Sequence, residues 1–324
     1  MVIKWGGYRQ LRLPGLIVSD NDTLLVALEA RYTESDDGFK DCLVYRSSDY
    51  GESWNRVLVI GNGYEVIGNP VLLNYHGGVA LCVSSGYLTG EGGKILIYHS
   101  LDDGLNWSSA QDITSDIQAD FTYMFVPGPS HGTMFSSGKV FIPCWQLETN
   151  TSGYGISYII SDDNIKSWKR INIDLDSSIS DPTEWCMVEC GQGVLYGNIR
   201  STSGFRGEVF IKNNTVISSS LNKKLTDPNC FGSCVKFYHR PNVILFSNCD
   251  NSESRKNLVL KGSCSDLESI DFVLEQTIEV GIAGYSDIAV DSRGAIYIVY
   301  EVNYGLEPMM LAITSYKNFK KIER

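Results

Sequence analysis

The chain of 324 residues contains no apolar run approaching the roughly 18–20 residues that a membrane-spanning helix requires, so no helical span is expected. Its first stretch, MVIKWGGYRQLRLPG, lacks the apolar segment of a secretory leader. As written it implies a cytoplasmic protein, or a secreted one whose leader has been removed. Positive charge is scarce: 27 Lys and Arg against 38 Asp and Glu give a net charge of −11. That balance argues against nucleic acid or anionic membrane as partners, and an anionic substrate would need cations gathered locally. There are only four His, and the nine Cys are odd in number with no regular framework, which suits a reducing compartment better than a disulfide scaffold. Two C-x-x-x-C pairs, Cys186/Cys190 and Cys230/Cys234, raise the possibility of zinc, but they lie on strand-like runs and read as buried thiols. No metal and no cofactor are expected. A sustained 3.6-residue apolar period is missing too, so helix should be scarce.

What is present is a succession of short β-branched and aromatic runs, such as TLLVALEA, GVALCVSS, GKILIYHS, YGISYIIS and AIYIVYE, bounded by Gly, Asp, Asn or Ser. A polar phrase follows such runs: SSDYGESW (47–54), SLDDGLNW (100–107) and SDDNIKSW (161–168). Ser47 and Ser100 are 53 residues apart, Ser100 and Ser161 are 61. Worn copies begin at Ser263 and Thr314, and a blank slot falls near residue 212. Six positions at a period near 50 residues point to a propeller of sheets or another repeat array. Within the phrase, Asp accepts N–H groups across a hairpin turn, Gly supplies a positive φ, and Trp folds back as an apolar plug between sheets. In SDDNIKSW, where Ile165 stands at the Gly position, Asn164 is expected to take the left-handed conformation instead. The phrase is a staple and carries no chemistry. No linker interrupts the chain, so one domain, 1–324, is expected.

The phrase is the Asp box, and other segments accompany it in order. LRLPGL, TLLVALEARYTESDDGF, GNPVLL, PGPSHGTM, PTEWCMVECGQGVLYGNIRS, SRKNLVLKGS, GYSDIAV and YIVYE together resemble the exo-α-sialidase (neuraminidase) family along nearly the whole chain. The resemblance implies an all-β fold, a six-bladed β-propeller of four-stranded antiparallel blades, with the site at the mouth of the central channel. It implies that Arg12, Arg200 and Arg255 bind the substrate carboxylate, with Glu301 holding the first of them. Tyr285 would be the nucleophile and Glu184 its base, and Arg31 a further substrate contact. The acid/base falls in SDDG, with Asp36 favoured by its five-residue distance from Arg31 and Asp37 the alternative.

The chemistry supports these types. Guanidinium groups grip a carboxylate bidentately and keep their charge at any working pH. A phenol attacking the anomeric carbon avoids the repulsion that a carboxylate nucleophile would meet from the substrate's own carboxylate, but it needs a base within hydrogen-bond reach. Glu189 competes with Glu184 as that base, although it lies on the opposite strand face. His131, in PGPSHG, reads as a turn cap. The expected reaction is retaining hydrolysis of terminal α-linked sialic acid, with a sialylated oligosaccharide or glycoconjugate as partner. A glycosidase for the related acids Kdn or Kdo, a trans-sialidase, and a propeller that only binds sialic acid are the competing readings. A pure binder would need the arginines but not the phenol–carboxylate pair.

Overall fold

The computed structural model describes residues 2–3, 7–86, 92–118, 122–147, 153–240, 242–263 and 270–322. They form an all-β fold whose helical content, among the described residues, is two short 3-10 turns, Asn303–Gly305 and Tyr316–Asn318. Six runs of antiparallel pairing succeed one another in chain order. The first sheet joins Gln10–Val18, Leu24–Arg31, Lys40–Ser47 and Asn55–Ile60. The second joins Ile67–Tyr75, Gly78–Ser85, Lys94–Ser100 and Gln111–Asp112. The third is built on Val140–Leu147, flanked by Met124–Pro127 on one side and Tyr154–Ser161 then Lys169–Ile173 on the other. The fourth joins Trp185–Gly191, Val194–Ile199, Phe205–Lys212 and Thr215–Thr226.

Two features depart from a set of uniform four-stranded antiparallel sheets. Ser130–His131 adds a parallel strand to the second sheet, beside Val71 and Leu72. The fifth sheet, Ser233–Lys236, Ile244–Cys249 and Lys256–Ser263, is joined to the sixth, because the 19-residue strand Phe272–Val290 pairs with Lys256–Ser263 through its first part and with Ala295–Val302 through its second. The edge of the sixth sheet, Met309–Ser315, pairs with Val2–Ile3. Residues 10–13 thus begin the first sheet, and the short pairing at residues 2–3 is what ties the start of the chain to the last sheet.

Alternation explains the packing. Leu24, Val26 and Leu28 enter a core shared with Tyr297 and Val299 of the sixth sheet, while Leu25 and Ala27, on the opposite face, join a core shared with Leu72 and Leu81 of the second. Successive side chains of a strand point to opposite faces, so a strand buried on both sides reads as a continuous apolar run, as LLVALEA does. Each of the six neighbouring pairs of sheets encloses its own apolar core. The innermost strand Gln10–Val18 lies against Ile67–Tyr75 on one side and Phe272–Val290 on the other.

The Asp boxes staple the outer hairpins. Asp49 accepts from Ser47 Oγ at 2.7 Å and from Ser53 N and Oγ at 2.9 and 2.5 Å. Asp102 and Asp163 are held in the same way, and these donors lower all three carboxyls to about 2. Trp54 and Trp107 donate Nε1 to Gly51 O and Gly104 O, at 3.1 and 3.0 Å, and pack between sheets. In the third box Asn164 does not relieve its neighbour: both Asn164 and Ile165 hold positive φ, 61° and 63°. The turn geometry requires two left-handed positions in a row, as at Tyr50–Gly51, so Ile165 adopts a conformation that β-branched residues avoid. The blank slot near 212 is a two-residue hairpin, with Asn213 and Asn214 at φ 52° and 62°. The worn copy at Ser263 lies mostly outside the described residues.

Candidate active site

One cleft of about 380 Å³ collects most of the predicted residues: Arg12, Arg31, Asp36, Glu184, Arg200, Arg255 and Tyr285. They come from the inner ends of the first, fourth, fifth and sixth sheets. Backbone irregularities aim several of them. The pairing of Gln10–Val18 with Leu24–Arg31 slips between Arg12 and Gly15, where Leu13 has φ 53°, and this bulge turns Arg12 inward. A second slip, between Ala283 and Ser286, presents Tyr285. Gly284 makes room there, since a Cβ would stand 2.7 Å from Glu301 Oε2, which would have to move. Glu184 and Arg200 sit opposite each other just beyond the paired ends of Trp185–Gly191 and Val194–Ile199, joined by Arg200 N to Glu184 O at 3.0 Å.

Tyr285 is buried and stacked on Phe231 at 5.8 Å. Its hydroxyl meets both Glu184 oxygens, at 2.7 and 2.8 Å. Arg200 Nη1 reaches the same hydroxyl at 2.7 Å and Glu184 Oε2 at 2.5 Å. The guanidinium carbons of Arg12 and Arg255 stand 5.5 and 5.4 Å from the centre of the Tyr285 ring. Burial pushes the Tyr285 hydroxyl well above its ordinary value; Arg200 opposes the shift and Glu184 adds to it. Such a phenol keeps its proton until a base takes it during reaction.

Each arginine is steadied differently. Arg12 Nε donates to Glu301 Oε1 at 2.8 Å, the oxygen that also accepts Leu13 N. Arg200 Nε donates to Asn229 Oδ1 at 2.7 Å. Arg255 Nη2 donates to Asn229 O at 3.3 Å, and among the described residues Arg255 has no carboxylate ion pair. Asn229 therefore serves two arginines. Its turn is fixed from below, where buried Arg206 donates to Asp227 and Cys230 O and Asp227 accepts Cys230 N at 2.8 Å.

The opposite wall is a buried charge network. Glu29 accepts from Arg31 Nε at 2.8 Å, from Lys40 Nζ at 3.2 Å and from Asn69 N at 2.9 Å. Burial alone would raise the Glu29 carboxyl, but Lys40 and Arg31 outweigh it and bring it to about 2. Arg31 also pairs with Asp36, whose backbone carbonyl accepts Lys40 Nζ at 3.0 Å. Trp145 and Tyr154, rings 6.1 Å apart, complete the lining. Five cations and four carboxylates thus meet around the cleft, leaving one positive charge in excess on a strongly acidic protein.

The two alternative carboxylates lie away from the cleft, and one reading changes, that of His131. Asp37 is exposed on the loop and does not line the cleft. Glu189 is away from Tyr285, accepting Ser136 N and Oγ at 2.9 and 3.1 Å. His131 caps no turn: it is buried, with Nδ1 2.8 Å from Asp287 Oδ1. The residues that sequence reasoning missed are Glu29, Lys40, Asn69, Trp145, Tyr154 and Asn229. Two carried a local signal: Glu29, two residues before Arg31 and so on the same strand face, and Asn69, within the segment GNPVLL. The eight described cysteines are all buried and free.

Residues 22–298 match the family model described as BNR repeat-like domain. The chain is 26% identical over 282 residues to a sialidase of Bacteroides fragilis, covering 75% of this chain and 51% of that protein. It is 23% identical over 223 residues to a sialidase of Clostridium perfringens, covering 61% of this chain and 57% of that one. The chain thus spans somewhat more than half the length of these curated relatives. An intramolecular trans-sialidase from Ruminococcus gnavus, solved with oseltamivir carboxylate, superposes with a TM-score of 0.86 at 15% identity, covering all of this chain and 98% of that one.

Proposed function

Because this chain belongs to the BNR repeat-like domain family and has sialidases as relatives, we propose that it is a retaining exo-α-sialidase releasing terminal α-linked sialic acid from glycoconjugates. The six sheets are the blades of a six-bladed propeller, residues 1–324 are one catalytic domain, and the cleft is the mouth of its channel. The observation that carries the activity is the Tyr285 hydroxyl held by both oxygens of Glu184 among three guanidinium groups. A site that only bound an anion would need the cations and would gain nothing from a buried phenol paired to a base.

Arg12, Arg200 and Arg255 take the substrate carboxylate. Glu184 removes the phenolic proton as Tyr285 Oη attacks the anomeric carbon, and Asp36 delivers a proton to the departing glycosidic oxygen. Arg200, touching both Tyr285 and Glu184, stabilises the phenolate as it forms. In the second half Asp36 takes a proton from water, the water oxygen replaces Tyr285 at the anomeric carbon, and Glu184 returns the proton to the phenolate. Two inversions give net retention. Arg31 and Lys40 keep the Asp36 loop over the cleft.

Asp36 rather than Asp37 is the acid/base, because only Asp36 lines the cleft. Asp36→Asn should slow sialosides with poor leaving groups by about 10²–10⁴-fold while sparing activated aryl sialosides, since only the former need the proton. Asp37→Asn showing that pattern instead would reverse the assignment. Turnover of a fluorogenic α-sialoside beside its Kdn and Kdo analogues tests the substrate. A fluorinated sialosyl fluoride should add its mass to the Tyr285 peptide; addition at Glu184 would exchange nucleophile and base.

A further inference from the structure

The rim beside the acid loop carries exposed aromatic surface that the hydrolytic mechanism does not use. Tyr64 is 80% exposed and Phe39 49% exposed, their rings in edge contact at 6.2 Å. Next to them Tyr8 and Tyr32 lie with ring centres 5.0 Å apart. Phe39 is three residues beyond Asp36 in the same loop, closed by Tyr32 N to Phe39 O at 3.1 Å. Residues 61–66 run alongside, tied by Lys40 N to Glu65 O at 2.9 Å and by the bridge of Lys40 with Val66. All four rings therefore belong to the two loops, and the adjoining strand start, that frame Asp36.

This surface is held in place. Asp41, almost fully buried, accepts the hydroxyls of Tyr8 and Tyr32 on one oxygen, at 2.9 and 2.8 Å. Its other oxygen accepts Gly63 N at 3.1 Å, fixing the loop that carries Tyr64. A buried carboxylate thus fastens both loops from beneath. Rigid aromatic side chains present a large contact area with little entropy to lose on binding.

We propose that Tyr8, Tyr32, Phe39 and Tyr64 form the leaving-group subsite, and that it takes a carbohydrate ring by its C–H face. The inference rests on the sialidase reading and on Asp36 as its acid: whatever bears the departing oxygen must lie on the side from which Asp36 supplies the proton. The chemistry of the rim selects a sugar. Aromatic faces meet the axial C–H groups of a pyranose, while the exposed Asp37, in the same loop, and the exposed Arg9–Glu34 ion pair offer polar partners for hydroxyl groups that an alkyl chain does not have.

The test uses two exposed positions that do not enter the core. Phe39→Ala with Tyr64→Ala should lower kcat/KM for sialyllactose about tenfold, chiefly through KM. The same double variant should leave α-sialosyl fluoride unchanged, because fluoride has no ring to stack. Tyr64→Phe, which keeps the face, should retain the parent value for both substrates. Equal losses on both substrates would show that the rings support the fold, and a loss on sialyllactose confined to kcat with KM unchanged would show that they only hold the acid loop; either would overturn the subsite. No loss on sialyllactose would overturn it too. An octyl sialoside losing as much as sialyllactose would overturn the sugar as occupant. A parent protein that turns over neither substrate would overturn the sialidase reading, and the subsite with it.

Discussion

Tyr285 and Asp287 are two residues apart on one strand, and both are buried. Their surroundings are opposite in character. Asp287 Oδ1 accepts Ser130 Oγ, His131 Nδ1, Ser233 Oγ and its neighbour Ile288 N at 2.8, 2.8, 2.6 and 2.9 Å, while Oδ2 accepts Leu16 N at 2.6 Å. These donors come from the first sheet, from the strand added to the second and from the fifth and sixth, so one carboxylate ties four parts of the chain at the centre. Nothing is left over. Around Tyr285 the cations outnumber the carboxylates by one and, among the described residues, Arg255 has no ion pair. A buried polar centre that is fully satisfied is a fastener; one left with surplus charge beside an opening is a site for a ligand.

That contrast can be broken at either end. Tyr285→Phe keeps the ring on Phe231 and removes only the hydroxyl, so the unfolding midpoint should stay close to the parent while kcat falls by about 10³-fold or more. Wild-type-like turnover would end the assignment of the nucleophile. At the other end, Asp287→Ala strands His131 and several donors. It should cost about 3–5 kcal/mol in denaturant unfolding. The hydrolysis rate of the molecules that remain folded should change much less. A stable Asp287→Ala protein would mean that the hub does not fasten the centre.

Arg255→Lys probes the surplus. It preserves charge but loses the planar fork, and should weaken binding of an unsaturated sialic-acid analogue by about 2–5 kcal/mol in calorimetry. Unchanged affinity would remove Arg255 from the carboxylate clamp. The smallest effect concerns pH. Burial alone would lower the His131 imidazole, but Asp287 outweighs it, helped by the Cys186 thiol and the Cys234 backbone, and the net shift is upward. A histidine raised in the folded state contributes stability that is complete below its unfolded value near 6.5 and is lost as pH rises through the higher folded value. The melting temperature should therefore decline from mildly acidic to mildly alkaline pH, and His131→Asn should flatten that decline. A melting temperature that rises over this range in the parent would contradict the assignment.

What the sequence made legible was local or carried by resemblance. The Asp boxes could be read because Asp49, Ser53 and Trp54 act within one turn. The three arginines, Tyr285 and Glu184 were found through ordered motifs, and the cleft does bring them together. Residues whose meaning comes from across the fold were not visible. Asn229 looks like an ordinary turn residue after Asp-Pro until Arg200 and Arg255 arrive from other strands. Lys40 reads as a surface lysine beside Gly38 and Phe39, yet it is buried against Glu29. His131 was misread because its partner is 156 residues away. Ile165 was misread because composition suggested that one left-handed residue would do, and the hairpin demands two.

The strand Phe272–Val290 carries a consequence for how the molecule comes apart. In arrays of repeats, each unit touches only its neighbours and can open by itself, so unfolding spreads from the weakest unit. Here the last two units share a continuous backbone, with Lys256–Ser263 paired along one part and Ala295–Val302 along the other. Neither can be peeled away without fraying the edge of its neighbour. They form one cooperative block, and the slowest amide exchange should run unbroken through both halves of that strand. The first opening should occur in the other sheets, leaving the segment that bears Tyr285 among the last to lose its protection.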